Sequence, residues 1–203
     1  MQPGKDRRTI RTKEGIRKAL TELMEEKGFN CLTVRDITTR ADINRGTFYL
    51  HYKDKFDLLE QSLQEIFSVV DRIVEGVKAS LTPNIIVFDE PLPFAVALFE
   101  YFEANGDFLK AVLGPEGAPG FQNRMKQLMR EKLFENHSAS FIPKDNLLVP
   151  ADYFISYLTS AHLGVVQEWL QGGRRESPRE MALILTRLTF NGPLYAAGLN
   201  PAL

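Results

Sequence analysis

Cysteine and histidine are scarce in this chain of 203 residues, with one of the former and three of the latter. A lone Cys31 excludes a disulfide scaffold and a cysteine-built metal cluster, and it fits a reducing compartment. It is expected to be a small buried filler just ahead of Thr33. His137 and His162 have no histidine or glutamate at metal-ligand spacing, so they read as surface or satisfied core side chains and no metal is expected. No glycine-rich phosphate loop and no nucleophile motif is present, so neither an enzyme nor a cofactor is expected. No apolar run approaches the ~20 residues that span a bilayer. The charged opening, with Lys5, Asp6, Arg7 and Arg8, lacks the apolar core of a secretion signal. The expectation is a cytoplasmic globular protein with no membrane partner.

What is present is unevenly spread. The net charge is −1, yet the first 55 residues hold 13 Lys and Arg against 8 Asp and Glu. That balance of +5 leaves −6 for the rest of the chain. The excess gathers at Lys5, Arg7, Arg8, Arg11, Lys13, Arg17 and Lys18. A basic front either meets a polyanion or is a solvated helix face, and charge alone does not choose.

Apolar spacing is helical nearly throughout. Ile16, Leu20, Leu23 and Met24 predict an amphipathic helix over 8–27, closed by Gly28. Thr33 and Asp36 form a capping box ahead of a short helix. Asn44 caps a second one over Arg45 to His51, and Asp54 a longer one with Phe56, Leu59, Leu63, Ile66, Phe67 and Val70 on one side. Pro83, Pro91 and Pro93 mark a joint. Further helices are expected over 93–104, 107–113, from Gly120 to about Asn136, 150–172 and 178–196. Ser177, Pro178 and Glu180 supply cap, first-turn proline and capping glutamate to the last. No strand alternation appears, so the fold is expected to be all-α.

The stretch 33–52 carries the function. Two short helices around a tight Asp42-Ile43-Asn44 turn make a helix-turn-helix, whose second helix lies in the major groove. Val34, Ile37, Ala41, Ile43, Phe48 and Tyr52 fall where that pair packs on the first helix. Arg45, Gly46, Thr47 and Tyr49 then face outward. Arg45 can donate two parallel hydrogen bonds to a guanine edge. Gly46 admits the backbone close to DNA, and Thr47 can meet a thymine methyl or a phosphate. Tyr49, His51 and Lys55 are placed for phosphate oxygens, which position the protein without reading sequence. Thr33 brings a hydroxyl and a helix N-terminus to the opposite strand's backbone.

The run from Thr33 to Leu59, with Arg45-Gly-Thr-Phe-Tyr49, His51-Tyr52 and Lys55 at its centre, resembles the DNA-binding domain of TetR-family transcriptional regulators. The resemblance covers about 8–69, and Tyr52 stands where the family most often has phenylalanine. It implies a three-helix DNA-binding domain over 8–69, followed over 70–203 by a larger helical domain for effector binding and dimerisation. Val166-Gln-Glu-Trp169-Leu-Gln-Gly-Gly173 with Ser177-Pro-Arg-Glu-Met181 is similar to a C-terminal branch that includes regulators of dihydroxyacetone metabolism.

Helices 150–172 and 178–196 are apolar over more than one face, so each must bury two. Phe154, Tyr157, Leu158, Ala161, Val165 and Trp169 form one stripe, and Leu163, Val166 and Leu170 extend it around. A thick single core would satisfy both faces; so would an isologous homodimer with Trp169, Ile184 and Leu188 at the interface, which the resemblance favours. The middle of the chain is rich in aromatic rings, and the resemblance implies a small-molecule effector pocket there, with Phe99, Phe102, Phe121 and Tyr157 as candidate lining. A packed core is the alternative. The functional expectation is a homodimeric repressor on a palindromic operator in double-stranded DNA, released by an effector of unknown identity. The other reading is a regulator acting mainly through a protein partner, as a co-activator. If the basic front meets DNA, deleting residues 1–8 should lower both affinity and its salt dependence while leaving any dimer intact. Equal binding at low and moderate salt would show a solvated face instead.

Overall fold

Among the residues that the computed structural model describes, 3–77, 90–118, 120–131 and 147–198, every regular element is a helix. In chain order these are α1 (Pro3–Lys27), α2 (Val34–Arg40), α3 (Arg45–Tyr49), α4 (Lys55–Val77), α5 (Pro93–Ala104), α6 (Gly106–Leu113), α7 (Phe121–Arg130), α8 (Ala151–Gln171), α9 (Pro178–Thr186) and α10 (Pro193–Ala196). The chain divides into two units, Met1–Val70 with Asp107–Pro119, and Asp71–Gly106 with Gly120–Leu203.

The first unit is built on α1. Ile16 and Leu20 of α1, Ile37 of α2, Phe48 of α3 and Leu58 of α4 are all 0% exposed and form its centre. Gly28 stops α1 at a φ of +75°, a left-handed value that favours glycine. Asp54 Oδ1 accepts from the backbone N–H of both Phe56 and Asp57, at 2.8 Å each, and starts α4 as its position implied. Leu59, Leu63, Ile66, Phe67 and Val70 follow as a buried stripe.

Most of α6, from Asp107 on, groups with the first unit. Phe108, Leu109 and Val112 are buried, and the Arg17 guanidinium lies 4.4 Å from the centre of the Phe108 ring. Lys110 Nζ stands 3.5 Å from Glu25 Oε1. Two side chains also differ from their expected burial. Phe56 is 59% exposed, with its ring edge-on to Phe29. Cys31 is exposed, because Phe29 and Leu32 take the inward positions of the turn that holds it.

In the second unit α5 packs on α9 and α7 on α8. Thr159 Oγ1 donates to Met129 Sδ at 3.2 Å, which lets a threonine sit at 0% exposure. The buried residues of α8 are Ile155, Thr159, Val166, Trp169 and Leu170; the last three belong to the expected stripe and its extension, whereas Ile155 and Thr159 do not, and Tyr157 and Ala161 are exposed. Ser177 and Glu180 form the capping box of α9. The last helix does not run unbroken to 196. It widens to a π-helical turn over Arg187–Asn191, then breaks at Gly192 ahead of Pro193, which has no N–H to continue it. The end of the helix expected to reach Asn136, together with Phe88, Phe134, His137 and Phe141, lies outside the described residues.

Gly28 offers a direct test of the packing. A Cβ there would sit 2.9 Å from Glu116 Cβ, and the left-handed φ adds strain. Gly28→Ala should lower stability by about 1–2 kcal/mol in chemical denaturation; an unchanged midpoint would show that the 114–118 loop yields freely.

Candidate nucleic-acid interface

The helix-turn-helix is assembled from caps and ion pairs around a small core. Thr33 Oγ1 accepts from the Asp36 N–H at 3.2 Å, and the Asp36 carboxylate accepts from the Thr33 N–H at 2.8 Å, which completes the capping box. Lys27 Nζ reaches the same carboxylate at 2.9 Å. These bonds, led by the Thr33 hydroxyl and then Lys27, hold the Asp36 carboxyl down from 3.8 to about 2. At the other end of α2, Arg40 spans to α1 with a two-pronged contact to Glu26, both bonds 2.8 Å, and a third to Glu22 at 3.1 Å. The Glu26 hydrogen bonds foremost raise the Arg40 pKa further above its ordinary value.

Asp42 makes the turn at φ +52°, a left-handed conformation that aspartate tolerates better than most residues. Asn44 then caps α3, its Oδ1 accepting from the Gly46 N–H at 2.8 Å. Ile37, Phe48 and Tyr52 are buried and Val34, Ala41 and Ile43 half-buried, as the inward set required.

The outward set falls into two groups. Thr33, Arg45, Gly46 and Tyr49 are exposed, while Thr47 and His51 are half-buried. Arg45 Nη2 donates to Tyr49 Oη at 3.3 Å, and its guanidinium lies 5.9 Å from that ring. The Tyr49 ring is itself edge-on to buried Phe48, at 5.6 Å between centres. Leu50, which the sequence pattern did not single out, follows at 80% exposure. Beside the turn, Arg7, Arg8 and Arg11 wall an open concavity of about 480 Å³ together with Ala41 and Ile43. Those arginines form a basic extension of the outward face.

Lys55, expected at a phosphate, has backbone partners in the free chain. Its ammonium donates to the carbonyls of Phe29, Asn30 and Leu32 at 3.1, 2.9 and 2.9 Å. In the free chain the ammonium thus has three backbone acceptors. No spacing in the sequence could reveal this, because the acceptors are backbone atoms 23 to 26 positions away.

The residues expected at an interface and a pocket scatter. Trp169 is 3% exposed, edge-on to Phe99 at 5.3 Å, and its indole N–H donates to the Glu176 carbonyl at 2.9 Å. It is a core side chain of its own chain, not an open interface anchor. Ile184 is 39% exposed and Leu188 half-buried. Phe99 and Phe121 are buried and Phe102 half-buried, while Tyr157 is 58% exposed. Tyr157 lies twelve positions from Trp169 on α8, about 120° around the helix, so it does not share a lining with Phe99. His162 is a satisfied histidine: Nε2 lies 3.0 Å from Thr189 Oγ1, whose own proton goes to the Leu185 carbonyl, and burial pushes the imidazole pKa down. Among the described residues no group of His, Cys, Asp and Glu could hold a metal ion, and no helix is long and apolar enough to cross a membrane.

A three-helix platform that exposes the N-terminal face of a short helix after a tight turn has the architecture of a DNA-binding helix-turn-helix. Residues 16–61 match the family described as bacterial regulatory proteins, tetR family, and residues 89–191 match a transcriptional regulator C-terminal region. The chain belongs to the TetR family of transcriptional regulators. It is 35% identical over 80 residues to the HTH-type transcriptional regulator YxbF of Bacillus subtilis (strain 168), covering 39% of this chain and 20% of that one. It is 36% identical over 56 residues to the HTH-type transcriptional repressor DhaR of Mycobacterium sp. (strain GP1), covering 28% of each. The chain thus spans under a third of the length of these two relatives. In fold it is similar to a TetR transcriptional regulator from Streptococcus agalactiae 2603V, with a TM-score of 0.58 at 21% identity, covering 91% of this chain and 96% of that one.

The depressed Asp36 carboxyl sets a pH window. Its folded pKa lies below its unfolded value, so its contribution is complete above about 4 and is lost as pH falls through about 2. Carbon-detected titration should place Asp36 near 2, with amide protection of α2 weakening over the same range. An Asp36 midpoint near 4 would show that the capping box does not persist in solution.

Proposed function

We propose that the chain is a homodimeric repressor that binds a palindromic operator and is released by a small molecule held in its second unit. The observation that carries the DNA half is the outward face of α3. Arg45 and Tyr49 project from a helix anchored by a fully buried Phe48, with Gly46 between them leaving the backbone open. Arg45 is the base reader, since its fork can pair with a guanine edge. Thr33, Thr47, Tyr49 and His51 take the sugar-phosphate backbone, joined by Arg7, Arg8 and Arg11.

The dimer half is supported by large apolar side chains left open on the second unit: Tyr153 at 74% and Tyr157 at 58% exposure, one turn apart on α8, and Ile184 on α9. One recognition helix reads too few base pairs for useful specificity, and a two-fold pair with recognition helices about 34–36 Å apart reads a palindrome. The effector half is supported by the aromatic content of α5. Phe94, Tyr101 and Phe102 are its half-buried rings, whereas Phe99 is buried. The repressor name of the relative DhaR agrees in sign.

Selection of bound duplexes from random DNA tests this reading and should return a palindrome. Arg45→Ala should then lose about 1–3 kcal/mol on that site and relax one position per half-site. Ile184→Glu, at a position solvated in the single chain, should still fold yet sediment as a monomer and lose the palindrome. A folded monomer that keeps tight operator binding would sink the dimer mechanism, and unchanged discrimination by Arg45→Ala would remove that residue from base reading.

A further inference from the structure

α1 outruns the core that it serves. Its first buried residue is Ile16, and no described side chain before that one is buried. The thirteen residues from Pro3 to Gly15 thus make a helical arm about 20 Å long. Arg7, Arg8, Arg11 and Gly15 fall within about 100° of its circumference, and they wall the open concavity whose other side is Ala41 and Ile43 of the turn. Gly15 leaves the floor bare, since a Cβ there would meet nothing within 4 Å. Among the described residues none of these three guanidinium groups meets a carboxylate, whereas Arg17 of the same helix stands 3.6 Å from Glu65.

Position decides what this face meets. A recognition helix enters the major groove by its N-terminal residues. The Asp42-Ile43-Asn44 turn ahead of α3 then lies at the rim of that groove, and an arm beside the turn crosses the rim toward the minor groove. A helix about 10–12 Å across is too thick for a minor groove about 6 Å wide, but side chains that project from it are not. Arginine suits that place better than lysine, because its guanidinium is more weakly hydrated. A narrow minor groove over A·T pairs concentrates negative potential, whereas a G·C pair puts an amino group on the groove floor. We infer that the arm is a second reader: Arg7, Arg8 and Arg11 enter the minor groove beside each half-site and favour A·T pairs there. The inference rests on the DNA-binding reading above, and it goes further than the backbone contact given there to the same arginines.

The test uses the full chain on the selected duplex, with the pairs beside each half-site made A·T, I·C or G·C. Inosine lacks the 2-amino group, so I·C resembles A·T in the minor groove and G·C in the major groove. The wild type should bind the A·T and I·C flanks alike and the G·C flank about tenfold more weakly. That comparison depends on no variant's folding. The triple variant Arg7→Ala, Arg8→Ala, Arg11→Ala should bind all three flanks alike and keep its discrimination within the half-site. Arg45→Ala should do the reverse. A wild type indifferent to the flank, with the triple variant weaker on every duplex by one factor, marks backbone contacts only and overturns the proposal. An I·C flank that behaves as G·C does also overturns it, because the reader then sits in the major groove. A flank preference that survives in the triple variant belongs to bending of the duplex or to other residues, and sinks the proposal as well. A triple variant equal to the wild type on every duplex refutes it by showing a solvated face. A wild type that selects no duplex at all would remove the DNA-binding reading itself, and the inference with it.

Discussion

Complete burial of Phe48 is what allows a helix of five residues to stand. α3 and the seven-residue α2 are far shorter than the ~12–15 residues that an isolated helix needs for even marginal stability, and Gly46 and Thr47 are poor helix formers. Burying one phenylalanine contributes about 1.5–3 kcal/mol, and each cap, at Thr33 and Asn44, about 1 kcal/mol. Ile37, also fully buried, does for α2 what Phe48 does for α3. Because inward residues and caps hold α3, its outward residues carry none of that duty. Arg45, Gly46 and Tyr49 are thereby free to suit a nucleic acid instead of the fold, the separation of support from site that a recognition surface requires.

Electrostatics divides along the same line. The positive balance of the first 55 residues is real, but part of it is engaged inside the unit. Lys27 closes on Asp36, Arg40 on Glu26 and Glu22, and Lys55 on backbone carbonyls. Exposed ion pairs contribute at most about 1 kcal/mol each, so their effect here lies in geometry: Arg40 fixes the angle of α2 on α1 at one end, and Lys27 fixes its start at the other. Arg7, Arg8 and Arg11 remain at the surface beside the turn. For attraction to a polyanion, those count and the braced ones count less.

Sequence legibility followed the range of each interaction. Both capping boxes were readable because Thr33 with Asp36 and Ser177 with Glu180 lie three residues apart, within the reach of local geometry. The inward set of the helix-turn-helix was readable because a 3.6-residue period leaves little choice once Phe48 is placed. What was not legible was non-local or polar. Lys55 has a three-carbonyl nest that only the folded turn creates. Thr159 is buried because Met129 accepts its hydrogen bond, a polar position that an apolar pattern passes over. Cys31 faces out because Phe29 and Leu32 outcompete it for the core, and composition alone favours the opposite. Trp169 read equally well as an anchor for a second copy until its indole met Glu176 and its ring met Phe99.

The segment Asp107–Pro119 was beyond reach for a different reason: its helical period is the same wherever it packs. By chain order it lies between α5 and α7, yet Phe108, Leu109 and Val112 are buried in the company of α1. Residues 1–69 pack with Asp107–Pro119 in one compact unit. Excising them would uncover the seats of these side chains, each worth about 1.5–3 kcal/mol if a large aliphatic or aromatic group is buried, against a total stability of about 5–15 kcal/mol.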